Sequence, residues 1–329
     1  MRLPEEADRI VEDIRSMRIR GAGMIARSAV EALQVVAQNS KAKDIESFIN
    51  ELTDAATILL QTRPTAVSLP NGVRYVMHRV NVAKDRTGSV EEMRSLAIAT
   101  TKEFIENAKT AVQRIGEIGA KRIVDGDVLL THCNSNAAIE IMKTAWNEGR
   151  KFEVLVTETR PRFQGHITAG ELAKAGIPVT LILDDAVRYF IQDVDKVIVG
   201  ADAVTANGAL VNKIGTSMVA LAAHEARVRF FVAAETYKFS PETMIGELVT
   251  IEERNPTEII SDELQRQIGS IKVLNPSFDV TPPEYIDLIV TERGIIPPLG
   301  AILILEEVFG VLTPEELRGF QTYSLQEET

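Results

Sequence analysis

A chain of 329 residues with 45% hydrophobic content is long enough to bury a large core and to divide into two lobes. Its formal net charge of -11 argues against wrapping nucleic acid or lying on an anionic membrane, so an anionic ligand has to be met by a local cluster of cations. No apolar run reaches the roughly 18 residues of a membrane span, and Met1 to Glu6 lacks a signal-peptide core, so a cytoplasmic location is expected. A lone cysteine, Cys133, cannot close an internal disulfide. The histidines at 78, 132, 166 and 224 show no metal-ligand spacing, and neither a metal nor a cofactor is expected.

In chain order, apolar residues at three-to-four spacing predict helices over Glu5–Ile19, Ala22–Gln38, Asp44–Gln61 and Ser89–Gly116. From about Lys121 the period changes. Short apolar runs predict buried strands at Asp127–Thr131, Glu153–Thr157, Val179–Leu183, Lys196–Val199, Arg229–Ala233 and Asp287–Val290. Helix-length amphipathic stretches such as Ala137–Glu148, Ala169–Lys174 and Thr216–Ala226 fall between them. This alternation is that of a parallel, doubly wound sheet. The expected fold is therefore α/β, an N-terminal helical lobe over residues 1–122 followed by a Rossmann-like parallel sheet domain over 123–329 that carries most of the active site.

Ligands of such sheets sit beyond the carboxyl ends of the strands, so the residues that follow each apolar run are the candidates for a site. His132-Cys133-Asn134-Ser135-Asn136-Ala137 forms a small polar turn leading into a helix, where backbone N–H groups meet anions. Arg160 and Arg162 follow the second run, with Gln164 close behind, and guanidinium groups pair bidentately with phosphate. Asp202 follows the fourth run within Gly200-Ala201-Asp202. Asn207-Gly208 comes next, then Asn212-Lys213 just before a helix, and Lys238 stands beyond the fifth. Singly, a strand-end Asp is commonly a helix cap and a Lys a solvated surface residue. Jointly, a thiol, a carboxylate and several cations at successive strand ends of an acidic protein point to one anion-binding crevice. Asp184-Asp185 either holds a sugar hydroxyl or caps the following helix. His132, adjacent to the thiol on an extended strand, points to the opposite face and receives no role.

Gly200-Ala201-Asp202, Asn207-Gly208, Asn212-Lys213-Ile214-Gly215-Thr216 and the stretch from Asn275 to Pro283 resemble the superfamily of methylthioribose-1-phosphate isomerase. That superfamily also contains the regulatory subunits of initiation factor 2B and the archaeal ribose-1,5-bisphosphate isomerases. Arg20-Gly21-Ala22-Gly23, Arg63-Pro64-Thr65, Thr131 to Asn136 and Glu158-Thr159-Arg160-Pro161 are similar to the last branch. The methylthioribose branch carries Arg-Gly-Ala-Pro-Ala where this chain has Gly23 and Met24 after Arg20-Gly21-Ala22, a departure that favours a different sugar.

The resemblance implies an aldose-ketose isomerase converting ribose 1,5-bisphosphate to ribulose 1,5-bisphosphate, with Cys133 as proton acceptor and Asp202 as proton donor. It implies substrate binding by Arg20, Gly21, Ala22, Gly23, Arg63, Ser135, Asn136, Ala137, Asn212, Lys213 and Lys238. It further implies a dimer-based homo-oligomer, a hexamer in the archaeal branch. AMP would be the activator and the place that of nucleotide salvage feeding a carboxylase. A methylthioribose-1-phosphate isomerase and a non-catalytic regulatory subunit of initiation factor 2B are the alternatives, and the presence of both Cys133 and Asp202 disfavours the second. A phosphate at C1 blocks ordinary aldose opening. Two routes stay open: removal of the C2 proton through a phosphorylated enol, or transfer of hydride from C2 to C1.

Overall fold

The computed structural model describes residues 3–19, 21–63, 67–246 and 248–309. The chain forms two compact units. One comprises the chain up to Ala111 with Tyr237–Gly246 and the stretch that begins at Leu305; the other comprises Val112–Thr236 and residues 248–304. A single division at 122/123 would assign Tyr237–Gly246 to the sheet domain, but this segment packs in the first unit. There Asn71 Nδ2 donates to the carbonyls of Tyr237 and Phe239 at 2.9 and 2.7 Å.

The first unit is built on α1 (Glu5–Arg15), α2 (Ala22–Asn39), α3 (Ile45–Thr62), α4 (Ser68–Ala83) and α5 (Val90–Ala120) as far as Ala111. Leu33, Phe48, Leu52, Leu59, Leu69 and Met93 are fully buried in its core. Asp44 caps α3, its carboxylate accepting from the Ser47 amide and hydroxyl at 2.8 Å each. Helix α4 was not foreseen, because Pro70-Asn71-Gly72 reads as a turn. Pro70 falls in the helix's first turn, where the N–H it lacks would have had no intrahelical partner. Gly72 allows a close approach: a Cβ there would stand 3.1 Å from Val30 Cγ2 and 3.2 Å from Phe104 Cζ.

The second unit contains β1 (Val128–Thr131), α6 (Asn136–Asn147), β2 (Glu153–Thr157), α7 (Gln164–Lys174), β3 (Val179–Ile182), α8 (Val187–Phe190) and β4 (Lys196–Val199). It continues through β5 (Ala203–Val204), β6 (Leu210–Lys213), α9 (Thr216–Ala226), β7 (Arg229–Ala233), α10 (Asp262–Ile268), β8 (Phe278–Thr281), β9 (Leu288–Thr291) and β10 (Gly294–Ile296). Helix α11 (Ala301–Phe309) runs on from this unit. The main sheet has the order β10-β9-β7-β4-β1-β2-β3; only the β9–β10 pair is antiparallel. Leu129, Val197 and Phe230 are fully buried, as a sheet covered on both faces requires. The α/β class and the six parallel strands agree with the sequence reading, except that β3 is not buried as expected: it lies at the sheet edge, with Thr180 and Leu181 exposed. The small antiparallel sheet β5-β6-β8 is additional. It forms from the Asn275–Pro283 stretch, whose Asp279 and Phe278 pair with Asn212 and Lys213.

Candidate active site

From β1 the chain steps outward through β2 and β3, then returns to β4 on the other side of β1. The carboxyl ends of β1 and β4 therefore flank a topological switch point, the place where open α/β sheets bind ligands. His132-Cys133 follows β1, and Gly200-Ala201-Asp202 follows β4.

Cys133 leaves the strand at φ 70°, in the left-handed region, and is only partly buried. Its amide donates to Thr159 Oγ1 at 2.9 Å, and its carbonyl accepts from Thr168 Oγ1 at 2.7 Å. Loss of hydration pushes its thiol up to about 12; the Lys213 charge pulls it down and that of Asp202 pushes it up. The thiolate is thus a minor species at neutral pH in the unliganded protein.

Lys213, at the end of β6, is buried. Its Nζ donates to the Ser277 carbonyl at 3.0 Å and stands 4.7 Å from the Phe278 ring centroid. Burial lowers its pKa, while Cys133 and Asp202 raise it. The same three groups therefore act electrostatically on one another within the second unit. Asn212 Nδ2 donates to Thr216 Oγ1 at 3.0 Å, and the Thr216 hydroxyl donates to the Lys213 carbonyl at 2.6 Å. Asp279 accepts from the Gly215 and Ser217 amides at 2.8 to 3.2 Å, and burial lifts its carboxyl to about 6.

Ser135 caps α6, accepting from the Ala138 amide at 3.3 Å, and Asn136 and Ala137 form that helix's first turn. The amide donors of a first turn have no intrahelical acceptor, which suits an anion. Gly21, at φ 81°, precedes α2 without a side-chain cap, and Ala22 and Gly23 open the helix. Arg63 ends α3, and Lys238 is buried in the Tyr237–Gly246 segment. These last residues belong to the first unit. Arg20 lies outside the described residues, as do Pro64 and Thr65.

His132 is buried, and both its ring nitrogens are engaged by groups other than the thiol. Its Nδ1 lies 2.6 Å from Thr157 Oγ1 and its Nε2 lies 2.9 Å from the Ile214 carbonyl. A carbonyl only accepts, so Nε2 carries the proton and Nδ1 accepts from Thr157. Asp184 neither caps the following helix nor stands free: its two oxygens accept from the Thr159 and Arg160 amides at 2.8 and 2.7 Å. Arg160 is exposed, and Arg162 pairs with Glu258 at 2.6 Å. Thr157 and Thr168 were not singled out from sequence, and Thr159 stood there only as part of Glu158-Thr159-Arg160-Pro161. Their only signal is the recurrence of Thr where β2 ends and where α7 faces the Cys133 turn. Among the described residues, no group of three or more His, Cys, Asp or Glu side chains is placed to hold a metal, and no helix is long and apolar enough to cross a membrane.

The sequence pattern of the Initiation factor 2 subunit family matches residues 18–298. The chain belongs to that family. Ribose 1,5-bisphosphate isomerase of Thermococcus kodakarensis is 57% identical over 94% of this chain and 97% of its own length. Among solved structures, the Pyrococcus horikoshii translation initiation factor eIF-2B superposes with a TM-score of 0.76 at 31% identity, covering 91% of this chain and all of that one. The 5-methylthioribose 1-phosphate isomerase of the same organism superposes with a TM-score of 0.72 at 32% identity, covering 93% and 88%. The fold is therefore common to enzymes and initiation factors, and sequence identity sets this family member beside the bisphosphate isomerases, as its motifs indicated.

Proposed function

We propose that this protein converts ribose 1,5-bisphosphate to ribulose 1,5-bisphosphate, with Cys133 and Asp202 moving the protons. The reading is carried by the thiol and the carboxylate at the two strand ends that flank the switch point, in a chain 57% identical to a ribose 1,5-bisphosphate isomerase. In the proposed complex Ser135, Asn136, Ala137, Asn212 and Lys213, with Arg20, Gly21, Ala22, Gly23, Arg63 and Lys238, bind the two phosphates and the sugar hydroxyls. Gly23, in place of a Pro, distinguishes this loop from the methylthioribose pattern.

In one route Asp202 protonates the ring oxygen as the C1–O4 bond breaks, and Cys133 takes the proton from C2. The resulting phosphorylated enol is protonated at C1 while its C2 hydroxyl proton leaves, giving the C2 ketone. A second route starts from the neutral thiol, the form that burial favours. There Cys133 gives its proton to the ring oxygen, hydride moves from C2 to C1, and the Asp202 carboxylate takes the proton of the C2 hydroxyl. The enol route resets itself when Cys133 returns its proton to C1 and Asp202 takes that of the C2 hydroxyl; the hydride route leaves Cys133 ionised and Asp202 protonated, and one proton passes from Asp202 to Cys133 to reset.

The same proposal includes activation by AMP, a dimer-based hexamer and a place in nucleotide salvage, each supported by the likeness to the archaeal branch, and a cytoplasmic location, supported by the lack of a membrane-length apolar run. The test is carbon NMR of the protein with ribose 1,5-bisphosphate and, separately, with methylthioribose 1-phosphate, with and without AMP. Ketose from the bisphosphate, lost in Cys133→Ser and Asp202→Asn, is expected. Turnover of the thioether sugar alone, or of neither, refutes the proposal. With substrate deuterated at C2, label lost to solvent marks the enol, whereas hydride transfer requires complete retention at C1.

A further inference from the structure

Both peptide groups of Cys133 are clamped by threonine hydroxyls, and one clamp is itself held by an acid. The Cys133 amide donates to Thr159 Oγ1, and the Cys133 carbonyl accepts from Thr168 Oγ1. Thr159, like Cys133, has a left-handed backbone, at φ 61°. Residues other than glycine stay in that region only where their surroundings hold them. Thr159 is held by Asp184, whose two oxygens take the Thr159 and Arg160 amides. Its hydroxyl proton is directed to the Thr157 carbonyl at 3.3 Å, which leaves the oxygen's lone pair for Cys133. Behind it Thr157 Oγ1 meets His132 Nδ1, so the strand ends of β1 and β2 are tied by a continuous set of contacts.

We propose that Thr159 and Asp184 are positioning residues for Cys133, setting the direction of its thiol through the backbone rather than touching substrate. The inference rests on the reading of Cys133 as catalytic. A left-handed residue aims its side chain differently from one that continues the strand, so loss of the Thr159 acceptor releases Cys133 toward ordinary extended geometry and changes the place of Sγ relative to Lys213 and Asp202, whose charges act on it. Asparagine at 184 is no substitute for the acid, because its amide group presents NH₂ to one of the two N–H donors whichever way it lies.

The test uses Thr159→Val, Thr159→Ser and Asp184→Asn in the full chain, with two readouts: turnover of ribose 1,5-bisphosphate, and the pH dependence of iodoacetamide alkylation of Cys133, the chain's one thiol. Misplacement of a reacting group by an ångström costs about 10²-fold, so T159V and D184N are expected to lose about 10- to 100-fold in kcat with KM little changed, and T159S to recover most of it. The alkylation profile of T159V is expected to shift away from the parent's while that of T159S follows it. Asp184 also raises the thiol pKa directly, so the uncharged Thr159 pair is the cleaner comparison. Folded T159V and D184N that turn over and alkylate like the parent overturn the proposal. Should T159V not fold, D184N and T159S decide through kcat. Should the parent itself show no turnover, the functional reading fails, and the alkylation profiles still decide whether Thr159 orients the thiol.

Discussion

Gly200 lies so close to Ser135 that a Cβ at position 200 would overlap both Oγ and Cβ of the serine. The residue that begins the turn to Asp202 is thus pressed against the cap of α6, and the two strand ends at the switch point share one packing constraint. Gly200→Ala inserts one methyl where neither side can yield without moving Ser135 off the Ala138 amide. Overpacking of this kind costs about 1–3 kcal/mol. Denaturant unfolding should register that loss, and turnover should fall together with it because Ser135 to Ala137 are proposed phosphate ligands.

The Cys133 thiol, pushed up to about 12, should alkylate ever faster with rising pH, about tenfold per unit, without levelling at the 9.0 of an ordinary thiol. Lys213→Met removes the charge that most lowers it, so alkylation at a fixed pH should slow. The sign for stability follows. Between pH 9 and about 12 the unfolded chain loses this proton before the native chain does, so the native state binds more protons and stability falls as pH rises through that window. Cys133→Ser should flatten the fall in denaturant-unfolding free energy measured from pH 9 upward.

His132 offers the opposite case. Burial lowers its pKa from 6.5, so the folded imidazole stays neutral where an unfolded one charges. Below about pH 6.5 the unfolded state binds the extra proton, and the stability present above that value is lost as pH falls through the folded pKa. In proton NMR the ring resonance of His132 should titrate at a lower pH than that of a free imidazole.

The long strands and helices were legible because their apolar periods are long enough to be unambiguous. The places of Cys133 and Asp202 just beyond β1 and β4 were legible because each follows an apolar run. What escaped were elements whose pattern is set by partners distant in sequence. Leu210–Lys213 ends in the polar Asn212-Lys213 and is a strand because Ala203–Val204 pairs with it on one side and Phe278–Thr281 on the other. Helix α4 hides behind Pro70 and Gly72, residues that break a helix's interior but suit its first turn and a tight crossing. The role of Asp184 escaped because its partners are backbone amides 24 and 25 residues earlier, which leave no mark on side-chain type.

Asn71 shows how such a hidden contact can reach the proposed chemistry. From α4 its Nδ2 donates to the carbonyls of Tyr237 and Phe239, which bracket Lys238. Its Oδ1 accepts from Arg74 Nη1 at 2.7 Å, and Arg74 in turn pairs with Glu242 of the same segment. Asn71→Ala withdraws the amide from two buried carbonyls and from a buried guanidinium, at a cost of about 2 kcal/mol or more. Lys238 then loses its fixed place although no atom of it is changed. If it serves as a phosphate ligand, KM for the bisphosphate should rise several-fold, with a smaller effect on kcat because Cys133 and Asp202 stand on the other unit. Asn71→Asp keeps the acceptor for Arg74 but turns both donors into acceptors facing carbonyls, and it should be no better than alanine. Steady-state kinetics of the two variants, read beside their melting temperatures, check this: KM unchanged in a variant that is measurably destabilised would remove Lys238 from the substrate-binding set.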